Sequence, residues 1–178
     1  MVFIIYEYGV IKVLHRAVFQ SKLGDMILLS DEKALLGLWF ADQKFFGANY
    51  QLDQADDVKN IPLKLALRWL NDYFAGLNPD PFVIPIRPEV TAFRKAVYHE
   101  LQKVPYGETT TYGELSDKLQ AKQAIKTNKA RAVGGAIGHN PITLIVPCHR
   151  VIGSDGSLTG YAGGIERKKA LLQFERQN

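Results

Sequence analysis

Residues 145–152 are Ile-Val-Pro-Cys-His-Arg-Val-Ile, a short apolar run that meets a proline, a thiol, an imidazole and a guanidinium. Proline fixes its own backbone angle and restricts the preceding residue to extended geometry, so Pro147 presents Cys148 at a rigid corner. A lone cysteine is usually a small buried core residue. The adjacent His149 and Arg150 can form or stabilise a thiolate, the form that governs cysteine reactivity, and they favour a reactive thiol over that structural alternative. We therefore expect the sulfur of Cys148 to be ionised and exposed within a cleft.

The composition of the 178-residue chain, 47% hydrophobic and 22% charged, is ordinary for a globular protein. The apolar stretch Val2–Ile5 has no basic residue before it and Glu7 soon after it, so it predicts neither a secretory signal nor a transmembrane span. One cysteine permits no internal disulfide, which suits a reducing compartment. We therefore expect a cytoplasmic protein without a membrane partner.

The net charge of +4 is unevenly distributed. Residues 1–88 carry nine basic and ten acidic side chains, whereas residues 89–178 carry thirteen basic and eight acidic ones. The excess positive charge therefore lies in the half that contains Cys148. Such asymmetry indicates a surface for nucleic acid or another polyanion, although charge alone does not distinguish this from a solvated face.

The N-terminal part predicts an antiparallel meander covered by one helix. Segments rich in β-branched and aromatic residues predict four strands: Val10–Leu14, Ala17–Gln20, Met26–Ser30 and Leu35–Phe40. A helix is expected from Pro62, at the first helical position, to the neighbourhood of Gly76. The prolines between Asn78 and Pro88 permit neither a helix nor a central strand, and they predict a linker. We expect domains at residues 1–87 and 88–178.

The C-terminal half predicts mainly helices. Thr91 can cap a first helix that ends near Pro105, and Thr111 with Glu114 matches a capping box that starts a second helix at Tyr112. Thr127 or Asn128 can cap a third helix, Lys129–Ile137. Together the second and third helices resemble a helix-turn-helix with a long turn, residues 120–126.

The third predicted helix contains Gly134 and Gly135 in succession, and each glycine costs about 1 kcal/mol relative to alanine. Two explanations stay open. The glycines can permit close approach of a nucleic acid strand, with Arg131 as the long side chain on a smooth surface. They can equally permit tight packing against a neighbouring helix or the Cys148 segment.

The histidines do not predict a metal site. His15 and His99 fit structural or surface positions and His139 fits a turn, and a single cysteine gives none of the paired spacings that zinc needs. Adjacent residues point to different sides of an extended chain, so His149 is expected to act on Cys148 through a water if it is the base.

Four ordered blocks of sequence resemble one known family. They are Ala130–Ala136, Asn140-Pro141, Ile145–Ile152 and Gly160–Gly164, and the match runs from about Phe93 to Glu175. These blocks closely resemble the O6-alkylguanine-DNA alkyltransferases, proteins of direct-reversal DNA repair. The resemblance implies a ribonuclease H-like α/β N-terminal domain and a mainly α C-terminal domain with a winged helix-turn-helix. It also implies a monomer that needs neither a metal nor a cofactor.

The resemblance implies a role for each matching residue. Cys148 would be the nucleophile, His149 would deprotonate it through a bound water, Glu175 would orient the imidazole and Asn140 would hold the neighbouring turn. Arg131 would fill the base stack after the damaged guanine flips out of duplex DNA into the protein from the minor groove. The remaining DNA and base contacts would come from Ala130, Tyr112, Gly134, Val151, Tyr161, Ala162 and Lys168. Among these contacts, the backbone carbonyl of Val151, together with that of Cys148, would accept from the guanine amine.

Each role has a plainer alternative. Glu175 and Lys168 would otherwise be surface charges, Tyr112 a core aromatic and Asn140 a simple turn residue. Ala162 stands where some relatives have serine, which alters pocket width but spares a backbone contact.

The resemblance implies single-turnover transfer of an alkyl group from O6-alkylguanine to Cys148, with O4-alkylthymine and the range of alkyl groups left open. A thioether sulfur is a poor leaving group, and the chain has no second cysteine to accept the alkyl group. The rival functions are a non-catalytic DNA-binding module, in which Cys148 is structural, and a cysteine hydrolase.

Overall fold

The computed structural model describes residues 5–7, 10–121 and 130–178. Contacts between Cα atoms divide the chain into two compact units, one ending at Glu89 and the other beginning at Val90. No helix in the described ranges has both the length and the apolar character that a membrane crossing requires.

The N-terminal unit is built on an antiparallel sheet, as its sequence pattern predicts. The strands β1 (Ile5–Glu7) and β2 (Val10–Lys12) pair antiparallel, and a separate sheet has the order β3 (His15–Ser21), β4 (Gly24–Ser30) and β5 (Leu35–Phe40). The strand predicted over Val10–Leu14 is present but shorter, because β2 ends at Lys12 and the next strand begins at His15. All six residues of β5 are buried, which explains why this strand lacks the usual alternation.

Helix α1 (Ile61–Phe74) packs against β3, β4 and β5. The Asn60 side chain accepts a hydrogen bond from the backbone of Leu63, so Asn60 is the N-cap and Pro62 is the second helical residue instead of the first. The Phe19 and Phe74 rings stack with centroids 5.8 Å apart. The helix thus covers one face of the sheet, as predicted.

The proline-rich segment is not the linker that the sequence predicts. Pro81–Val83 forms a 3-10 turn, and residues 85–87 bond to the edge strand β5. Leu35 donates its backbone N–H to Pro85, and Arg87 donates its own to Leu35, over 2.8 Å in both cases. Prolines fit here because the edge of a sheet requires a donor at only some positions.

The C-terminal unit contains four helices in the described ranges: α2 (Ala92–Gln102), α3 (Tyr112–Gln120), α4 (Ala130–Gly138) and α5 (Ile165–Gln177). Thr91 caps α2, and the predicted capping box of Thr111 and Glu114 is present at α3. The predicted caps Thr127 and Asn128, with Lys129 and residues 122–126 of the long turn, lie outside the described residues.

Helix α4 packs on α2 and α3. The Tyr98 hydroxyl of α2 donates to the carbonyl of Ala136 over 3.0 Å, and Val133, Ala136 and Ile137 are buried. A short parallel pair, β6 (Thr110–Thr111) with β7 (Val151–Ile152), then ties the cysteine segment to the start of α3. These contacts place the cysteine corner and the Tyr112 end of α3 on adjacent elements.

Candidate active site

The corner at Cys148 is a tight loop followed by one 3-10 turn, Cys148–Arg150. The N–H of Val146 returns to the carbonyl of Ile142 over 3.0 Å, and the N–H of Cys148 donates to the carbonyl of Val146 over 2.8 Å. The prediction of an extended chain at Cys148 and His149 is therefore wrong. Successive side chains on a 3-10 turn are separated by about 120°, so His149 leaves the backbone in a different direction from the thiol.

Asn140 holds this corner and contacts the sulfur. Its buried Nδ2 lies 2.8 Å from the carbonyl of Val146, 3.3 Å from that of Ile142 and 3.1 Å from the Sγ of Cys148. Its Oδ1 accepts from the N–H of Ile142 over 3.0 Å. A simple turn residue would not make this set of contacts, because both ends of the amide are used to fix the loop around the thiol.

Replacing Asn140 with alanine should destabilise the corner and misplace the thiol. The buried N–H of Ile142 would lose its acceptor, at about 1–3 kcal/mol for a buried group left unsatisfied, and the carbonyls of Val146 and Ile142 would keep only their backbone donors. We expect a lower free energy of unfolding in urea and slower alkylation of Cys148. Asn178→Ala, which removes an exposed amide bonded to Phe174, is the matched control and should leave both unchanged. Equal behaviour of the two variants would contradict the role of Asn140.

The Cys148 thiol is buried, with 3% of the residue exposed. Burial raises the pKa of Cys148 to about 11, and the bond from Asn140 and the charge of Lys168 offset only part of this effect. The expectation of an exposed thiolate is therefore wrong for the protein without DNA. The sulfur is instead a protonated, sheltered nucleophile that needs a base to take its proton.

A base lies next to it in an imidazole–carboxylate pair. His149 Nε2 and Glu175 Oε1 are 2.7 Å apart and both side chains are fully buried. Burial lowers the pKa of His149 against the opposing effect of Glu175, whereas the bonds from His149 and Arg150 lower the pKa of Glu175 despite its burial. An ionised carboxylate only accepts hydrogen bonds, so Nε2 carries the proton and Nδ1 keeps a lone pair. Among the described residues, Nδ1 has no hydrogen-bond partner.

The position of Arg150 corrects the expectation that it stabilises a thiolate at Cys148. Its guanidinium instead binds Glu175, with Nε 2.9 Å from Oε2 and a terminal nitrogen 3.0 Å from Oε1. The other terminal nitrogen donates to the carbonyl of Val104 over 2.6 Å. Sequence reasoning missed this pairing because the two residues are 25 positions apart, although an arginine inside an apolar run is itself a sign of a buried partner.

Lys168 is fully buried, so the alternative of a solvated face is wrong. Its Nζ donates to the carbonyl of Val151 and to that of Thr159, the latter over 2.7 Å. Burial lowers the pKa of Lys168 to about 8. The Val151 carbonyl, which the resemblance assigns to the guanine amine, is thus already held by this ammonium.

Two tyrosines lie close to these groups. The Tyr112 hydroxyl donates to the carbonyl of Thr159 over 3.1 Å, and a Cβ added at Gly160 would press against that hydroxyl. The Tyr161 ring meets the His149 ring edge-on with centroids 6.5 Å apart. The Tyr161 hydroxyl is buried without a partner among the described residues. Ala162, next along the chain, is partly buried.

The outer face of α4 carries Arg131 and Gly135, both exposed. A Cβ at Gly135 would meet nothing within 4 Å, and one at Gly134 would lie 3.8 Å from the Tyr112 ring, an ordinary contact. Packing within the described residues therefore does not require these glycines. Among the described residues, the observation favours the first explanation over tight packing against a neighbouring helix or the Cys148 segment. Ala130 is partly buried at the start of the same helix.

Within the described ranges, no group of three histidine, cysteine, aspartate or glutamate side chains could hold a metal ion. His15 is buried between Asp56 and Glu32, 2.6 Å from each, and serves the structure of the N-terminal unit.

Comparison with known proteins gives consistent matches along the chain. A family model for the DNA-binding domain of 6-O-methylguanine DNA methyltransferase matches residues 92–177, and one for its ribonuclease-like domain matches residues 14–88. A methylated-DNA–protein-cysteine methyltransferase of Haemophilus influenzae is 37% identical over 92% of this chain and 87% of its own length. One of Methanosarcina acetivorans is 40% identical over 91% and 98%.

A solved structure gives the same result. The crystal structure of Mycobacterium tuberculosis OGT in complex with DNA has a TM-score of 0.77 and 39% identity, and it covers 92% of this chain and 93% of that one. Both halves of the sequence, and not only the motif-bearing half, are accounted for by these matches. The chain therefore belongs to the 6-O-methylguanine DNA methyltransferase family.

Proposed function

We propose that this protein repairs DNA by direct reversal, transferring the alkyl group of O6-alkylguanine in duplex DNA to Cys148. The observation that carries the proposal is the buried thiol, bonded to Asn140 at 3.1 Å and adjacent to the fully buried His149–Glu175 pair. Family membership makes DNA the substrate, and the matched relatives are named as methylated-DNA–protein-cysteine methyltransferases.

In the proposed step, Sγ of Cys148 attacks the alkyl carbon opposite the guanine oxygen. The S–C bond forms as the C–O6 bond breaks, and its electron pair leaves on the guanine, which takes up one proton. The thiol proton passes through a bound water to His149 Nδ1, the free nitrogen of a neutral imidazole. Because the pKa of Cys148 is raised to about 11, this removal of the proton is a requirement of the reaction.

The base must leave the duplex to reach a buried sulfur. Flipping costs a few kcal/mol, which a wedge in the vacated stack and contacts to phosphates offset in part. Arg131, on the exposed and smooth face of α4, is the wedge we propose, with Ala130 and Gly134 against the DNA backbone. Tyr112, Tyr161, Ala162 and Lys168 would border the pocket, with the carbonyl of Val151 toward the base.

Arg131→Ala should separate flipping from chemistry. We expect transfer from methylated duplex DNA to slow by about 5- to 30-fold, since a wedge worth about 1–2 kcal/mol is lost, and an unchanged rate with free O6-benzylguanine. Arg176→Ala, at an exposed position of α5, is the control for loss of charge. Equal slowing of both substrates would show that Arg131 is not the wedge.

We also infer a cytoplasmic monomer with domains at residues 1–87 and 88–178. A free thiol as the only cysteine is compatible with a reducing compartment. The family models, which end at residue 88 and begin at residue 92, support the domain boundary.

Duplex DNA with a tritiated O6-methyl group tests the function directly. We expect label to move to the protein, to reach one equivalent and then to stop, because the thioether is a poor leaving group and no second cysteine accepts the methyl group. Transfer beyond one equivalent would contradict the single-turnover mechanism, and no transfer would contradict the function.

A further inference from the structure

Glu175 is held by more donors than the orientation of one imidazole requires. Its Oε1 lies 2.7 Å from His149 Nε2 and 3.0 Å from a terminal nitrogen of Arg150. Its Oε2 lies 2.9 Å from Nε of Arg150 and 3.1 Å from the backbone nitrogen of Gly107. Four donors therefore converge on two oxygens, and two of the four belong to Arg150.

The Arg150 side chain is itself buried and held by contacts other than those with Glu175. Its side chain is 7% exposed, one terminal nitrogen bonds the Val104 carbonyl at 2.6 Å, and the guanidinium carbon lies 5.6 Å from the centre of the Tyr106 ring. Such a planar, bidentate contact between a guanidinium and a carboxylate sets the angle of the carboxylate as well as its charge. The His149 ring bonds the same carboxylate, so the angle of the carboxylate also sets the orientation of the ring.

We propose that Arg150 is a positioning residue for alkyl transfer, which locks Glu175 in register with His149 and balances its charge so that the imidazole stays neutral. This inference rests on the proposed function. With Arg150 present, the buried carboxylate already has a cation, and a neutral imidazole completes an electrically balanced group. Without Arg150, the carboxylate would draw a proton onto His149, and an imidazolium cannot accept the proton of Cys148.

The charges around His149 have opposing effects. Glu175 on α5 raises the pKa of His149, whereas burial, Arg150 on the same turn and Lys168 on α5 lower it. Cys148 and Tyr161 also face this region and are both neutral at pH 7, since burial raises both of their pKa values. Removal of the Arg150 cation should therefore raise the pKa of His149.

The test compares Arg150→Met with Arg150→Lys, and Arg176→Met on the exposed side of α5 is the control. The imidazole of His149 is titrated by nitrogen NMR, and the single-turnover rate with methylated duplex DNA is followed from pH 5 to 9. In Arg150→Met we expect a His149 pKa about 1 unit or more above the wild-type value, with the acid limb of the rate profile displaced equally. In Arg150→Lys we expect a smaller displacement but a rate lower at every pH, because a point charge replaces the planar fork.

A pair of variants keeps the test decisive if Arg150→Met does not fold. Glu175→Gln is compared with Arg150→Met/Glu175→Gln, which contains no unpaired buried ion. The double variant should show a His149 pKa about 1 unit above that of Glu175→Gln, the effect of the Arg150 cation alone. Equal His149 pKa values in the compared variants, or a rate loss identical at every pH in Arg150→Met, would overturn the inference. Failure of the proposed function is distinguishable, because it appears as absence of transfer by the wild-type protein, whereas the NMR titration needs no transfer.

Discussion

Cys148→Ala is expected to abolish alkyl transfer completely while the protein still binds methylated duplex DNA. No other cysteine exists in the chain, and the described groups around Cys148, the His149 imidazole and the Lys168 amine included, are weaker nucleophiles toward an alkyl carbon than a thiolate. The proposed DNA-contacting face lies on α4, so loss of one sulfur in the corner should not remove it. Transfer is measured with labelled duplex and binding with an unlabelled methylated duplex.

Cys148→Ser is the control for shape. A hydroxyl fills nearly the same space and can still accept the hydrogen bond from Asn140, but it is a much weaker nucleophile at neutral pH. We expect the serine variant to be as stable as the wild type and also inactive. Retention of the biological function by either variant would favour the non-catalytic DNA-binding module, for which Cys148 is only a structural residue.

Glu175→Leu is expected to impair both folding and chemistry. The substitution leaves the Arg150 guanidinium buried without its carboxylate, and breaking a buried ion pair in this way costs about 3–5 kcal/mol. It also removes the acceptor of His149 Nε2, so the imidazole can no longer be held with Nδ1 free. We expect transfer to slow by about 10²-fold or more, the usual contribution of a positioned base. Urea unfolding and single-turnover kinetics measure the two effects.

Glu175→Gln separates charge from shape. The amide can still accept from one donor, so we expect a smaller loss of stability than in Glu175→Leu, but its NH₂ group faces a donor of Arg150 or His149. If both variants transferred the methyl group at the wild-type rate, His149 would not be the base and the buried pair would be purely structural.

Local patterns predicted much of the fold. The capping box at Thr111 and Glu114 needs only two side chains three residues apart, and the structure has it with α3 starting at Tyr112. The apolar spacing predicts in the same way a helix from Pro62 to the neighbourhood of Gly76, and the structure has α1 over Ile61–Phe74. The parallel pairing of β6 with β7 is not predicted from the sequence, because each strand is only two residues long and the paired residues lie about 40 positions apart.

Features that depend on tertiary contacts were predicted poorly. The proline-rich segment lies along β5, which no local rule for proline indicates. Arg150 was expected to act on the adjacent thiol, whereas the turn at residues 148–150 directs it to Glu175 on another helix. Likewise Cys148 was expected to be an exposed thiolate, but its ionisation depends on burial by elements that the sequence does not place. His149 and Glu175 were brought together by the family resemblance, and not by any spacing.

Mass spectrometry after incubation with O6-benzylguanine tests most directly whether Cys148 is the alkyl acceptor. The wild-type protein should gain one benzyl group per chain, confined to the peptide that contains Cys148, and guanine should be released in equal amount. Cys148→Ala should gain none. A protein that stays unmodified while it releases guanine, or one that carries the benzyl group on another residue, would contradict the assignment of Cys148 as the nucleophile.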